Sequence, residues 1–239
     1  MILAPLPRSF GTELMDHPDL DPRELEKSLG DLRRVNRWLG GTRVVLGHLA
    51  PMVRRLGRPC RVLDVATGSA DIPLALAAWA RAEGLEVRTT ATDGHRATLA
   101  SARRATAHEA SVEVAEADAL ALPFGDGAFD FAMCSTALHH FDRRGDAVQV
   151  LRELGRVARC GVVVNDLARS RLALAGAHLL AATVWRRHPM TRHDGPLSVR
   201  RAFTAAELRE LAREAGLAGA RVHSHLPFRV ALVVDRTLE

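Results

Sequence analysis

The chain has 239 residues, a length that suits one α/β domain with an additional segment. Hydrophobic residues make up 47% of the sequence, and no apolar run is long enough to span a bilayer. The formal net charge of +5 is carried almost entirely by arginine, which gives little support to a nucleic-acid partner. Three widely separated cysteines without a C-x-x-C pair predict reduced, buried thiols in a cytoplasmic protein.

Two helices are predicted ahead of the first strand. In residues 22–39 apolar side chains recur at helical spacing, and Gly40-Gly41 ends the pattern. Residues 42–56 repeat it with a second apolar stripe. We therefore expect residues 1–56 to form a helical cap or lid over a domain formed by residues 57–239, with plain packing as an equally good alternative.

A strand, a tight turn and a helix follow. Val62 to Val65 is typical of a buried parallel strand, interrupted only by Asp64. Small residues fill the turn from Ala66 to Ala70, and Asp71 is predicted to cap the helix Leu74 to Ala82. This is the first unit of a doubly wound nucleotide-binding sheet, with backbone N–H groups presented at the helix start. Alanine is not expected to favour a positive φ at either end of the turn.

The next two strands also end in acidic residues. Val87 to Thr92 is followed by Asp93-Gly94, and an acid at this strand end can accept hydrogen bonds from both hydroxyls of a ribose. Val112 to Ala117 is followed by Asp118-Ala119. The ends of parallel strands share one edge of the sheet, so these acids are predicted to face one crevice.

The remaining elements continue the alternation of strands and helices. A strand over 131–134 is followed by a helix that is capped by Asp142 and ends at Ala158, and then by a strand over 161–165. An apolar helix over 171–186, either buried or a lid, leads into an irregular loop rich in arginine and histidine up to Arg201. A helix over 205–215 with a capping box and a β-hairpin over 220–235 complete the chain.

Three motifs together resemble the class I S-adenosylmethionine (SAM) methyltransferases over residues 58–235. They are the acid and small-residue turn in DVATGSADIP, Asp93 at the second strand end, and the stretch ADALALPFGDGAFDFAMCSTALHHF. The resemblance departs at Ala66 and Ala70, where that family usually has glycine. It implies an α/β, Rossmann-like, doubly wound sheet of seven strands in the order 3-2-1-4-5-7-6, with strand 7 antiparallel.

The resemblance also implies a cofactor and its contacts. The cofactor is SAM, with S-adenosylhomocysteine (SAH) as product, and no metal is expected. The cofactor-binding candidates are Asp64, Ala66, Thr67, Gly68, Ser69, Asp93, Gly94, Asp118, Ala119 and Ser135. A metal-dependent, catechol-type enzyme would need a further carboxylate at the strand-four end, where Cys134-Ser135 stands instead.

Catalysis needs a base only if the acceptor must lose a proton. His139, His140 and Asp166 are the candidates at the ends of strands four and five, with His193 a further alternative. His139 and His140 are favoured because they come just after strand four, next to the amino-acid end of the donor. Two consecutive residues point in different directions, so we expect only one to face the acceptor, and we choose His139.

The likeness is greatest to small-molecule methyltransferases such as those of ubiquinone and menaquinone biosynthesis. We expect O-methylation of a phenolic or polyketide-like natural product by a monomer or homodimer, with no membrane or nucleic-acid partner. The alternatives are C- or N-methylation of a quinone or other metabolite, a nucleic-acid methyltransferase, and a SAM-binding protein without activity. The nucleic-acid alternative is disfavoured because [DNS]-P-P-[YFW] is missing and Lys27, the only lysine, excludes a K-D-K-E tetrad.

Overall fold

A seven-stranded sheet forms the centre of the computed structural model, which describes residues 6–17 and 20–237. The outermost residues of both predicted ranges, 1–5 and 238–239, lie outside the described part, as do residues 18 and 19. The strands are β1 (Cys60–Val65), β2 (Val87–Asp93), β3 (Val112–Glu116), β4 (Phe129–Ser135), β5 (Ala158–Leu167), β6 (Arg221–His225) and β7 (Arg229–Asp235).

Strand order and direction confirm the predicted fold class. The order is β3-β2-β1-β4-β5-β7-β6. Strands β1 to β5 pair in parallel, and β7 runs antiparallel to both β5 and β6. Because the order reverses between β1 and β4, a crevice forms at the carboxyl ends of these strands, where open α/β sheets bind ligands.

Eight α-helices surround the sheet within the described ranges. They are α1 (Pro22–Trp38), α2 (Gly41–Leu56), α3 (Asp71–Ala82), α4 (Arg96–Thr106), α5 (Arg144–Val157), α6 (Arg171–Ala182), α7 (Pro189–Arg201) and α8 (Ala205–Glu214). Two single 3₁₀ turns, Leu14–Asp16 and Leu138–His140, lie beside the crevice. In residues 6–17 and 20–237, no helix combines the length and apolar character needed to cross a membrane.

Alternating side chains of the central strands divide the core into two layers. Val62 packs with α2 and α3, whereas its neighbour Leu63 packs with α5 and α8. Val45 and Leu49 of α2 are fully buried in the first layer. Helix α2 is thus part of the core, and only α1 of the N-terminal pair lies over the crevice, where its Leu32 contributes to the lining.

Two predictions about the region after β5 were wrong. Residues 189–201, predicted to be an irregular loop, form α7, which starts with Pro189 in its first turn and contains Pro196 in its interior. The apolar helix stops at Ala182, and Leu172 and Leu179 on it are 73% and 65% exposed, which excludes the buried-helix alternative.

The turn after β1 contains three left-handed residues in a short span. Ala66 and Ala70 have φ values of 56° and 58°, as Gly68 does with 58°, so the expectation that alanine would avoid this conformation was wrong. Ala70, and not Asp71, occupies the N-cap position of α3. A left-handed alanine costs on the order of 1–2 kcal/mol, and such strain persists where surrounding bonds impose it. Here the Thr67 N–H donates to the Thr92 carbonyl at 2.8 Å.

Candidate active site

A polar cavity of about 550 Å³ occupies the crevice at the carboxyl ends of β1, β2 and β4. Nine of the ten predicted cofactor residues line it, and the tenth, Ser69, is buried within the turn. His139 and His140 also line the cavity, whereas Asp166 reaches it through its contact with His139. His193 does not line it; its ring is hydrogen-bonded to Asp194 on α7.

The turn after β1 and the end of β2 are joined by a carboxylate. One oxygen of Asp93 accepts a hydrogen bond from the Gly68 N–H at 3.0 Å, and the other accepts from the His95 N–H at 2.9 Å. These bonds fix the orientation of the Asp93 side chain beside the left-handed turn. Asp118 is fixed in a similar way by the Leu120 N–H at 2.9 Å.

Three acids at the floor of the crevice have raised pKa values. Burial, with repulsion from Asp71 and Asp93, raises the pKa of Asp64 to about 8, although the Thr67 hydroxyl donates to it at 2.6 Å. Burial also raises the pKa of Asp71 and of Asp93. Within residues 6–17 and 20–237, neither Asp64 nor Asp93 has an ion-pair partner. A cation that enters the crevice would therefore be stabilised by Asp64 and Asp93, because no other ion pair satisfies these acids.

His139 is buried and held by Asp166 from the end of β5. Its Nδ1 lies 2.7 Å from one carboxylate oxygen, and its backbone N–H donates to the other at 3.0 Å. Burial raises the pKa of Asp166, but the charge and hydrogen bond of His139 lower it by more, so this carboxylate stays ionised. A carboxylate only accepts, so Nδ1 carries the ring proton and a neutral His139 has its lone pair on Nε2.

His140 has a different electrostatic environment. Its Nδ1 lies 2.8 Å from Asp16 and its Nε2 lies 3.8 Å from Glu13. Burial lowers the pKa of His140, but the hydrogen bond to Asp16 and the charges of Glu13 and Asp16 raise it by more, to about 9. A ring that is already protonated at neutral pH cannot accept a proton, so this geometry favours His139 as the base.

Glu13 is a residue of the crevice that the sequence analysis missed. It is 1% exposed, and its Oε1 lies 3.6 Å from Nε2 of His139. Among the residues that the structure describes, Oε1 has no hydrogen-bond partner. Ser198 donates to its other oxygen at 2.9 Å. Glu13 stands in a stretch without helical or strand periodicity, so no pattern marked it. Contacts from α7 place it over the crevice.

Glu13, His139 and His140 could also supply three ligands to a metal, since their ligand atoms lie within 4.8 Å of one another. The Arg201 guanidinium, 3.5 Å from Glu13, already places a positive charge beside this group. The sequence-based expectation of no metal remains a prediction.

A second, apolar cavity of about 330 Å³ adjoins the first. It lies between α1, α6 and α7, with Trp185 and the turn between β6 and β7 completing its wall. The residues that line both cavities are Glu13, Met15, Leu32, Thr136 and Ser198. The two spaces therefore meet beside Nε2 of His139.

Comparison with known proteins agrees with the fold. Residues 62–161 match the methyltransferase domain family. Over 104 residues, the chain is 44% identical to a demethylmenaquinone methyltransferase of Thermus thermophilus and 36% identical to one of Deinococcus radiodurans. Each match covers 43% of this chain. It spans 44% of the Thermus protein and 40% of the Deinococcus protein, which is less than half the length of either relative. Residues 62–161 are thus similar to a methyltransferase domain, which agrees with the resemblance of the chain to the class I SAM methyltransferases.

Solved structures extend the likeness in fold to most of the chain. A SAM-dependent methyltransferase from Aquifex aeolicus superposes with a TM-score of 0.61 at 19% identity, covering 90% of this chain and 98% of that one. Human N-acetylserotonin methyltransferase in complex with SAM gives a TM-score of 0.65 at 13% identity, covering 90% and 56%.

The crevice of this methyltransferase domain fits SAM as cofactor. SAM carries a sulfonium and an ammonium group, and the crevice offers them the buried acids Asp64 and Asp93, which have no ion-pair partner in residues 6–17 and 20–237. Asp64 and Asp71 would bind the charged amino-acid end of SAM. Asp93 would bind its ribose and Asp118 its adenine, in the same order as the strands that these acids follow. The left-handed turn at Gly68 allows the backbone to approach the ligand closely.

Proposed function

We propose that this chain transfers a methyl group from SAM to an oxygen of a small, largely apolar acceptor, such as a phenolic or polyketide-like natural product. One observation carries the proposal. The apolar cavity joins the crevice at Glu13, next to the nitrogen of His139 that bears the lone pair. An acceptor seated in that cavity would present its polar end to a base and its apolar part to α1 and α6.

His139 is the proposed general base, and Asp166 is a positioning residue. Asp166 holds the imidazole through two hydrogen bonds and keeps its proton on Nδ1. Nε2 can then take the proton of an acceptor hydroxyl, and the resulting imidazolium is stabilised by Asp166 and Glu13. SAM supplies, when bound, a methyl group already activated for displacement. The protein's other tasks are to align the acceptor and to exclude water.

The decisive experiment compares two histidine variants. His139→Ala should lower turnover of a phenolic acceptor by roughly 10²–10⁴-fold, with partial rescue at high pH. His140→Ala should lose much less, and SAH affinity by calorimetry should stay near parental in both. His108→Ala, an exposed histidine on another face, is the matched control. If both crevice variants keep near-parental turnover from about pH 6 to 9, there is no histidine base.

C-methylation of a quinone-type ring is the second candidate. It is supported by the sequence likeness to two proteins named demethylmenaquinone methyltransferase. Deuterated-methyl SAM, mass spectrometry and NMR of the product distinguish a C–CD₃ from an O–CD₃ group. The monomer or homodimer, the cytoplasmic location and the lack of a nucleic-acid partner remain predictions.

A further inference from the structure

Exposed apolar side chains are concentrated around the mouth of the apolar cavity. Of the eight large hydrophobic residues exposed in the described ranges, six lie on the elements that form this mouth. We define the rim as these six residues: Trp38, Leu172, Leu179, Val184, Leu226 and Phe228. Scattered exposed hydrophobic residues need no explanation, but a contiguous group beside an apolar cavity marks an interaction surface.

The rim has three parts that are connected in space. They are the end of α1 (Trp38), α6 and the turn after it (Leu172, Leu179 and Val184), and the turn between β6 and β7 (Leu226 and Phe228). Leu179 and Phe228 line the cavity themselves while remaining 65% and 39% exposed. Leu172 and Leu179 are seven positions apart and so share one face of α6. The Arg229 guanidinium, next to Phe228 in sequence, donates to the Leu39 carbonyl at 3.4 Å, which joins the end of α1 beside Trp38 to the turn between β6 and β7.

Positive charge accompanies the rim. Residues 171–192 contain four arginines and no acidic residue, and residues 221–229 contain no acidic residue either. Arg186 and Arg187, two and three positions after Val184, are both exposed. The Arg37 guanidinium lies over the Trp38 ring at 5.1 Å, which places a cation next to a large exposed aromatic side chain.

We propose that the rim docks on an anionic lipid surface. Apolar side chains flanked by arginine, with tryptophan among them, suit the boundary between headgroups and acyl chains of an anionic bilayer. A second copy of this chain fits less well, because a two-fold contact would set these arginines against each other. The sequence-based expectation of no membrane partner is untested, and co-sedimentation with vesicles decides between it and this proposal.

Docking would place the mouth of the apolar cavity against hydrocarbon. If the proposed function is also right, an apolar acceptor could pass from the bilayer into the cavity without crossing water. Lipid binding itself requires no turnover, so it can be tested separately from methyl transfer.

The test is co-sedimentation of the full chain with vesicles. We expect binding to vesicles of phosphatidylglycerol and phosphatidylcholine, and much weaker binding to phosphatidylcholine alone or at high salt. Leu172→Ser/Leu179→Ser and Arg186→Ser/Arg187→Ser should each lower partitioning by roughly tenfold or more. Arg103→Ser/Arg209→Ser, which removes two exposed arginines from α4 and α8, is the control and should bind as the parent does.

Further measurements guard against trivial results. SAH calorimetry and thermal unfolding verify that each variant is folded. Brominated lipids should quench the parent's fluorescence and quench Trp38→Phe much less, since Trp185 is buried and Trp79 packs in the layer between α2 and α3, outside the rim. Lack of binding to anionic vesicles overturns the proposal, and so does an equal loss in the control pair. A dimer in light scattering that Leu172→Ser/Leu179→Ser dissociates would instead identify a self-association surface.

Discussion

Asp64→Asn should have opposite effects on the ligand-free protein and on its complex. Burial and neighbouring acids raise the pKa of Asp64 to about 8, so about nine-tenths of these side chains are protonated at pH 7. A bound cation would favour the ionised form, so binding must release that proton. SAM affinity should therefore rise with pH, by about tenfold per unit between about pH 6 and 8.

The same pKa determines the effect on stability. The folded-state value lies above the ordinary 3.8, so ionisation of Asp64 opposes folding, and the ligand-free protein should lose stability as pH rises toward 8. Asparagine is nearly isosteric and never ionises. The variant should therefore have a higher Tm than the parent at pH 8, although it binds SAM more weakly.

Calorimetry in two buffers of different ionisation enthalpy measures the released proton directly. The parent should release close to one proton at pH 7, and Asp64→Asn should release much less. Asp126→Asn, which removes an exposed carboxylate 82% accessible at its side chain, is the matched control. A flat pH dependence in the parent, or an unchanged slope in Asp64→Asn, would refute the assignment of the proton to Asp64.

Three further predictions concern the crevice and its cover. Asp93→Ala should weaken SAH binding by about 1–3 kcal/mol in calorimetry, since it strands hydrogen-bond partners; unchanged affinity contradicts this. Turnover should survive dialysis against EDTA, because Arg201 already balances Glu13; loss with recovery in magnesium would show a metal requirement. Asp31→Ala removes the hydrogen bonds that join α1 to His188 and Thr191 at the start of α7. If α1 acts as a lid, this variant should have a higher KM for the acceptor, while its SAH affinity, the control, stays unchanged.

The strands and the acids at the crevice could be predicted because their signals are local, whereas the strand order was implied by the resemblance to the methyltransferase family. A buried strand followed by a small-residue turn determines where β1 ends and α3 begins, and each later acid directly follows its strand. Apart from Arg61 and Ser135, β1 and β4 are buried throughout, and neighbouring side chains such as Val62 and Leu63 enter opposite layers, as packing between two helical layers requires. The left-handed Ala66 and Ala70 were not predictable from propensity, since bonds from β2 and the turn impose that conformation.

The sequence alone also could not determine which of the two histidines is the better candidate for the base. His139 and His140 are adjacent and chemically identical, but they differ in burial and in the acids that face them. Asp166 lies at the end of β5, whereas Asp16 belongs to the N-terminal segment, 124 positions away from His140. No local pattern could have paired that segment with the crevice.

Helix α7 holds the N-terminal segment, which carries Glu13, in place over the crevice. Its buried positions include Thr191, Asp194 and Arg201, so it lacks the apolar stripe by which a helix is predicted. Asp194 and Arg201 bind distant backbone groups, and the Thr191 hydroxyl donates to Asp31 of α1 at 3.0 Å. Asp194 accepts from the Leu14 and Met15 N–H groups at 2.8 and 3.1 Å, which positions the N-terminal segment over the crevice.

The same helix holds the histidines from the other side. Arg201 donates to the His139 carbonyl at 3.2 Å and to the His140 carbonyl at 2.9 Å, and its guanidinium lies 3.2 Å from Asp16. One helix thus fixes both the segment that carries Glu13 and the turn that carries the proposed base. Because a buried polar side chain is stable only when paired, the lack of an apolar pattern in α7 and its role in assembling the site have one physical cause.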